Sequence, residues 1–372
     1  MAEISLKIFS FFSGCGFLDL GFELNGYSMQ LADEFSEQFL KAYKYSREKM
    51  GLAKPKYGYS NADVNEYLGN LSGELKAYIN QSKEDGSLVG FIGGPPCPDF
   101  SVAGKQRGRY GDNGKLSLSY INLIVRQHPD FFLFENVKGL WKTAKHRAFY
   151  DELKSMIAQA GYYITERLTN ALEFGVPQDR ERILLFGISK KLPGIKSENP
   201  MYSFRWEKYM SHSIEKVKGI EWPKTGAFNE NSISECPAGL PKELTVQHWF
   251  VKNDVSSHPN GNDYFKPRAG ISKMISIQEG DDAKKSYKRL HRWRYSPTVA
   301  YGNNEVHLHP YKARRLSVAE ALALQSLPKE FMLPPDMPLT AKFKTVGNGV
   351  PFLLASGIAK TIKDFFSELY SK

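Results

Sequence analysis

Cys97 stands between prolines in Gly93-Gly94-Pro95-Pro96-Cys97-Pro98-Asp99-Phe100-Ser101, directly after the apolar run Leu88-Val89-Gly90-Phe91-Ile92. Proline lacks the backbone donor and fixes φ, so this cysteine cannot lie in a helix interior or a central strand. The stretch predicts a thiol on a stiff loop at the end of a buried strand, where open α/β sheets bind ligands. A thiol held that way is a candidate nucleophile; a buried structural cysteine is the other reading of the residues alone. Glu135-Asn136-Val137 closes a second apolar run, Phe131–Phe134. A glutamate at such an edge can carry a raised pKa and donate a proton. Gln178-Asp179-Arg180-Glu181-Arg182 precedes the run Ile183–Ile188 and offers two guanidinium forks. Gly14-x-Gly16, between a strand and a helix, suits a nucleotide-like cofactor at the helix N-terminus. A dinucleotide fold would want a third glycine where Asp19 stands, which argues against hydride transfer. Glu34 and Asp63 read as strand-end carboxylates for ribose and adenine, or as surface acids.

These groups need a scaffold that gathers distant strand ends. Leu6–Phe12 reads as a strand, Ser13–Gly16 as a tight turn, and Phe17–Leu24 as a helix stopped by Gly26. Met29–Ala32 and Gln38–Lys49 repeat strand and helix. Strands at Val89–Ile92 and Phe131–Phe134 flank a helix at Leu116–Arg126. This alternation predicts the α/β class, with a doubly wound, parallel, Rossmann-like sheet. After Lys190 the period is lost, and residues 191–285 are polar and loop-rich, the pattern of an inserted recognition domain. Helical order returns at the capping box Ser317-Val318-Ala319-Glu320 and runs toward Pro328.

A chain of 372 residues has room for one large domain and a smaller one. Fifty Lys+Arg against forty Asp+Glu, a net +10, favour a polyanionic partner, nucleic acid or an anionic membrane surface. Cys15, Cys97 and Cys236 make no CxxC pair, which argues against a zinc ribbon or a disulfide framework. His307-x-His309 lacks the supporting ligands of a metal site. No apolar run approaches the roughly 18 residues of a membrane span. The apolar stretch Ile8–Leu20 is broken by Ser13, Gly14, Gly16 and Asp19, so a signal peptide is not expected and the expected location is cytoplasmic.

The order and spacing of the blocks resemble the DNA cytosine-5 methyltransferases. Phe12-Ser13-Gly14-Cys15-Gly16 is similar to their cofactor loop and Pro96-Cys97 to their nucleophile motif. Glu135-Asn136-Val137 and Gln178–Arg182 match further blocks. Tyr295-Ser296-Pro297-Thr298, Arg314-Arg315-Leu316-Ser317 and Gly347-Asn348-Gly349-Val350-Pro351 match later ones. The resemblance covers residues 6–188 and about 287–358. It implies S-adenosyl-L-methionine as cofactor. Glu34 would hold its ribose, Asp63 its adenine, and Asn348 would close the pocket. Phe12, Ser13, Gly14, Cys15, Gly16, Leu18, Phe35, Val64, Pro95, Leu116 and Val350 would line the rest. Cys97 would attack C6 of a flipped-out cytosine, Glu135 would be the proton partner at N3, and Arg182 would contact the base. Ser101 and Arg180 would be positioning groups near the base or its phosphates, and Lys105, Arg107 and Arg109 would meet phosphates.

The implied partner is double-stranded DNA, and the setting is a bacterial restriction-modification system that admits a cognate endonuclease on the same site. A monomer without membrane attachment is expected. The catalytic domain is expected over 1–190 and 343–372, and the target-recognition domain over 191–342. Within the unmatched segment, Arg205, Asn229, Asn231, Gln247, Lys252, Asn253, Asn260, Asn262 and Arg268 offer groups for base edges, with the basic run Lys284–Arg294 as the fallback. Four positions depart from the family pattern. Pro98 stands for glutamine, Ser10 for an acid, Ala319 for an arginine, and Phe17 for the second glycine of a pair, which leaves the adenine-stacking residue open. Two other readings are a transfer-RNA cytosine methyltransferase, whose Cys-Phe-Thr signature is missing, and an inactive DNA-binding relative. Cys97, Glu135 and Arg182 together argue against the second.

Overall fold

The computed structural model describes residues 4–96, 112–195, 197–267, 270–284, 286–299 and 307–371. Strands β1 (Leu6–Phe11), β2 (Ser28–Asp33), β3 (Tyr59–Ser60), β4 (Leu88–Gly93) and β5 (Phe131–Val137) pair in parallel. Helices α1 (Phe17–Glu23), α2 (Glu37–Lys49), α3 (Ser72–Lys83) and α4 (Asp112–Gln127) connect them. Helices α5 (Lys138–Lys142) and α6 (Ala144–Gln159) lead into β6 (Tyr162–Asn170), the short β7 (Gln178–Asp179) and β8 (Glu181–Ser189). The seven-stranded order is β3-β2-β1-β4-β5-β8-β6.

The sheet is parallel only as far as β5. β8 runs antiparallel to both β5 and β6. No crossover helix separates β6 from β8, and so short a return permits only antiparallel pairing. The order reverses between β1 and β4, which is the topological switch point where such sheets bind ligands. There Phe11 lies beside Gly93, so the loops that follow the two strands leave the sheet side by side.

Period-two burial builds a core on each face. Leu6, Ile8, Phe131 and Leu133 point to one cluster, with residues of α1 and of the last helix in the chain. Phe9, Phe11, Phe132 and Phe134 point to the other, with residues of α3, α4 and α6. The remaining helices are short: α7 (Ile214–Gly219), α8 (Val246–Lys252), α9 (Ile271–Ser276), α10 (Val318–Leu324) and α11 (Leu339–Asn348). Helix α12 (Phe352–Tyr370) returns to the sheet. The capping box at α10 forms as read, with Ser317 and Glu320 each satisfying the other's backbone N–H.

The expected boundary at 191 falls inside chain that packs on the sheet. Met201, Phe204 and Trp206 join the α1–α12 core, and Trp206 Nε1 donates to Thr165 Oγ1 at 3.0 Å. Farther on, Val246, Trp249 and Phe250 share a cluster with Cys15, Phe17, Leu20, α10 and α11, which ties the smaller region to the edge of α1.

Candidate active site

Two loops meet at the switch point. The first begins with strain: Phe12 has φ +56°, a left-handed conformation that a bulky side chain rarely adopts. Its ring meets Tyr120 edge-on at 5.9 Å. Ser13 donates its N–H and its hydroxyl to Asp33 O, fixing the turn to the end of β2. Gly14 and Gly16 follow with φ +57° and +75°. Gly14 N–H donates to Glu34 Oε2 at 2.8 Å, and Ser36 N–H donates to Glu34 Oε1 at 2.8 Å. Burial raises the Glu34 pKa while these two N–H groups oppose the rise. The carboxylate is thereby aimed and keeps lone pairs for hydroxyl donors.

Beside it the Phe35 ring is 71% exposed. Asp63 caps the 3₁₀ turn Val64–Leu68, and its Oδ1 accepts from Asn65 N. Asn348 is exposed at the end of α11, while Pro95 and Val350 are buried and Leu116 is half-buried. Leu18 and Val64 turn into the two sheet cores. Cys15 is a packing residue: Thr345 donates its hydroxyl to Sγ at 2.8 Å, and burial pushes the thiol up to about 12. An aimed carboxylate, an exposed ring and a glycine turn suit a ribosyl-purine ligand.

The second loop follows β4. Cys97, Ser101, Lys105, Arg107 and Arg109 lie outside the described residues. The groups around the loop's start are described. A Cβ on Gly94 would stand 2.6 Å from Glu135 Oε2, so only glycine lets that carboxylate lie over the loop. Asn136 Nδ2 donates to Pro95 O at 3.4 Å, joining the same strand end to the same loop. Arg182 Nε lies 2.9 Å from Glu135 Oε1, held there by the antiparallel register that sets Val137 opposite Arg182. Burial raises the Glu135 pKa, opposed by Arg182 and Arg180. A buried carboxyl on a guanidinium, lying over the glycine three residues before Cys97, is equipped to hold or deliver one proton.

Arg180 has another task than the expected DNA contact. It is fully buried and donates to Val299 O, Gly347 O and Gly349 O at 2.9–3.1 Å. It clamps the two later blocks onto β7, and a guanidinium used that way is turned from phosphate.

The candidate base-readers also divide. Asn253 and Asn260 are buried and bond Leu327 O and Leu333 O. Gln247 Oε1 accepts from Tyr311 Oη, and Arg268 lies outside the described residues. Arg205, Asn229, Asn231, Lys252 and Asn262 are exposed. The fallback run turns inward: Arg289 bonds Ile277 O, Met274 O and His309 O, Arg292 pairs with Glu279, and Arg294 bonds Pro223 O. His307 and His309 are buried, and among the described residues no three His, Cys, Asp or Glu side chains gather as a metal site. Among them, too, no helix is long and apolar enough to cross a membrane.

The fold and this pair of loops define a methyltransferase of the α/β class. The chain matches the model of the C-5 cytosine-specific DNA methylase family over residues 6–364 and belongs to that family. It is a DNA (cytosine-5-)-methyltransferase. It is 54% identical to the Type II methyltransferase M.NmeDI of Neisseria meningitidis serogroup C, over 98% of this chain and 85% of that one. It is 30% identical to the Type II methyltransferase M.FnuDI of Fusobacterium nucleatum, over 98% and 96%. Among solved structures it resembles the S. pombe Dnmt2 methyltransferase, with a TM-score of 0.60 at 13% identity, covering 98% of this chain and 99% of that one.

Proposed function

We propose that the chain methylates C5 of a flipped-out cytosine in one duplex DNA sequence, with S-adenosylmethionine as methyl donor, as the modification half of a restriction-modification pair. The observation that carries this reading is the Glu135–Arg182 pair, lying over Gly94 at the foot of the Cys97 loop. S-adenosylmethionine supplies an electrophilic methyl group. The residues present suit it: Glu34 for the ribose hydroxyls, Phe35 against the adenine, Asp63 for the amino group, and Asn348 at the pocket mouth.

Cytosine C5 is a poor nucleophile. Addition of the Cys97 thiolate to C6, with Glu135 giving a proton to N3, makes C5 electron-rich enough to take the methyl group. Loss of the C5 proton to water, departure of the Cys97 thiolate from C6 and return of the N3 proton to Glu135 then restore the ring. Arg182 holds Glu135 and faces the base. The base must leave the stack for Cys97 to reach C6. Residues from about 214 to 342 would form the smaller recognition region, with DNA between it and the sheet. A cytoplasmic monomer working with a cognate endonuclease fits this reading.

A duplex carrying 5-fluorocytosine tests it, because fluorine cannot leave C5 as a proton does. The native enzyme should form a covalent adduct in the presence of S-adenosylmethionine, and Cys97→Ser should form none while still binding DNA. Full methylation by Cys97→Ser would sink the mechanism. Methylation of transfer RNA but not of duplex DNA would replace the substrate.

A further inference from the structure

Helix α2 touches the glycine turn at both ends. At its start, Glu34 and Ser36 carry the bond to Gly14 N–H described above. At its last turn, Arg47 is buried and donates from Nη2 to Gly16 O at 2.6 Å. The same guanidinium binds Glu23, with Nε 2.7 Å and Nη2 2.6 Å from Oε2, and lies over the Tyr43 ring at 4.3 Å. Gly16 sits tightly on these groups. A Cβ there would stand 2.4 Å from Tyr43 Cε2 and 2.6 Å from Arg47 Nη2. The turn thus has a carboxylate on the Gly14 N–H and a guanidinium on the Gly16 carbonyl, the first held by the N-cap of α2 and the second carried in its last turn.

We propose that Arg47 is a positioning residue for the methyl donor: through Gly16 O it fixes the glycine turn in the shape that receives S-adenosylmethionine. Arg47 does not touch the donor. Glu23 supplies the countercharge that lets a guanidinium remain buried at this place. The Gly14–Gly16 turn and Glu34 then face the donor from one rigid body. Without Arg47, the Gly16 carbonyl keeps only its helical bond from Leu20 N–H, and the turn has to be ordered by the ligand itself.

This inference rests on the reading that the 12–16 turn holds S-adenosylmethionine, so the test measures that binding directly. The full chain is titrated with S-adenosylmethionine by calorimetry, alongside steady-state methylation. The double variant Arg47→Met/Glu23→Gln removes the clamp without leaving a lone buried charge, an exchange often close to neutral for stability. It should bind S-adenosylmethionine roughly ten-fold or more weakly, the worth of a charged hydrogen bond, with KM raised alike and kcat within two-fold. Arg47→Lys keeps a cation near Gly16 O and should recover part of the loss; it carries the test if the double variant does not fold. Native affinity in a folded double variant, or in Arg47→Lys where the double variant does not fold, overturns the clamp. Loss of kcat with unchanged KM overturns it too. Failure of the native protein to bind S-adenosylmethionine, or native binding by Glu34→Ala, would instead overturn the reading of the turn.

Discussion

The Phe17 ring packs against Gly349: a Cβ on Gly349 would stand 2.1 Å from the ring carbon Cδ2. The ring also meets Phe331 edge-on at 5.1 Å and is buried. The residue that replaces a family glycine therefore packs into the joint between α1 and the α11–α12 turn. Under the proposed function, Phe35 is then the exposed ring for the adenine. Gly349→Ala should overfill this joint and cost about 1–3 kcal/mol of stability. Because Asn348 is adjacent, affinity for S-adenosylmethionine should fall as well. A thermal melt and a donor titration check both, and an unchanged melting temperature would mean that the joint yields.

Glu135→Gln keeps the shape of the side chain and its place over Gly94 but removes the acid. Methyl transfer should fall by roughly 10²–10⁴-fold, the usual contribution of a positioned general acid. Donor and DNA affinities should stay close to native. Single-turnover rates would show this, and a rate within two-fold of native would assign N3 protonation to another group.

Much of the site was legible because its residues are punctuation. Gly14, Gly16, Gly94 and the Pro95–Pro98 frame mark places where backbone must turn or something must come close, and such marks survive in a single sequence. The strands were legible because residues such as Phe131–Phe134 are apolar on both faces. What stayed hidden depends on contacts between distant residues. Arg180 looks like any exposed cation until Val299, Gly347 and Gly349 bring their carbonyls to it. Arg47 ends an ordinary amphipathic helix, and only the fold puts Glu23 and Gly16 against it. The reversal of β8 was hidden because an apolar run carries no direction.

Arg180→Gln tests the reassignment of that residue. Loss of bonds to three carbonyls should cost roughly 3 kcal/mol or more. The salt dependence of duplex binding should keep its slope, because no phosphate contact is lost. Alanine at Lys105, Arg107 and Arg109 together should flatten the slope, by near 0.9 for each phosphate released. A shallower slope in Arg180→Gln would return that residue to the DNA.

Asp19 gives the stability a defined pH response. It is buried and accepts from Ser10 Oγ at 2.8 Å, and burial raises its pKa to about 7. In the unfolded chain it titrates near ~3.9. Between these values the folded state holds a proton that the unfolded state has released, so the contribution is full at low pH and lost as pH rises through about 7. Asp19→Asn is uncharged throughout. It should gain stability relative to native at pH 8.5 and distinctly less at pH 5, where only about a third of the response has developed, read as a difference in melting temperature. An equal difference at both pH values would mean that Asp19 is ionised in the folded protein.

The choice of DNA sequence should reside where side chains are held out rather than in. Residues 229–235 form such a segment. Asn231 N–H donates to Tyr311 O, Glu230 Oε1 accepts from Ala313 N–H, Arg292 binds Ser232 O and Oγ, and Trp293 Nε1 donates to Ser234 Oγ. The inward-turned basic run thus fixes this loop, and Asn229, Asn231 and Ile233 are left outward, with Ile233 97% exposed. Two amides suit the paired donor and acceptor of an adenine edge, and an apolar tip suits a thymine methyl, each good pair being worth about 1–3 kcal/mol of discrimination. Alanine at Asn229 or Asn231 should therefore relax the methylated sequence at one position by roughly ten-fold or more, with donor affinity native. Arg292→Ala should instead lower stability and methylation of every site alike, since Glu279 and Ser232 lose their partner. Mapping methylated cytosines in DNA from cells expressing each variant separates the two patterns. If the asparagine variants keep the native target while Arg292→Ala changes it, the basic run reads the bases after all.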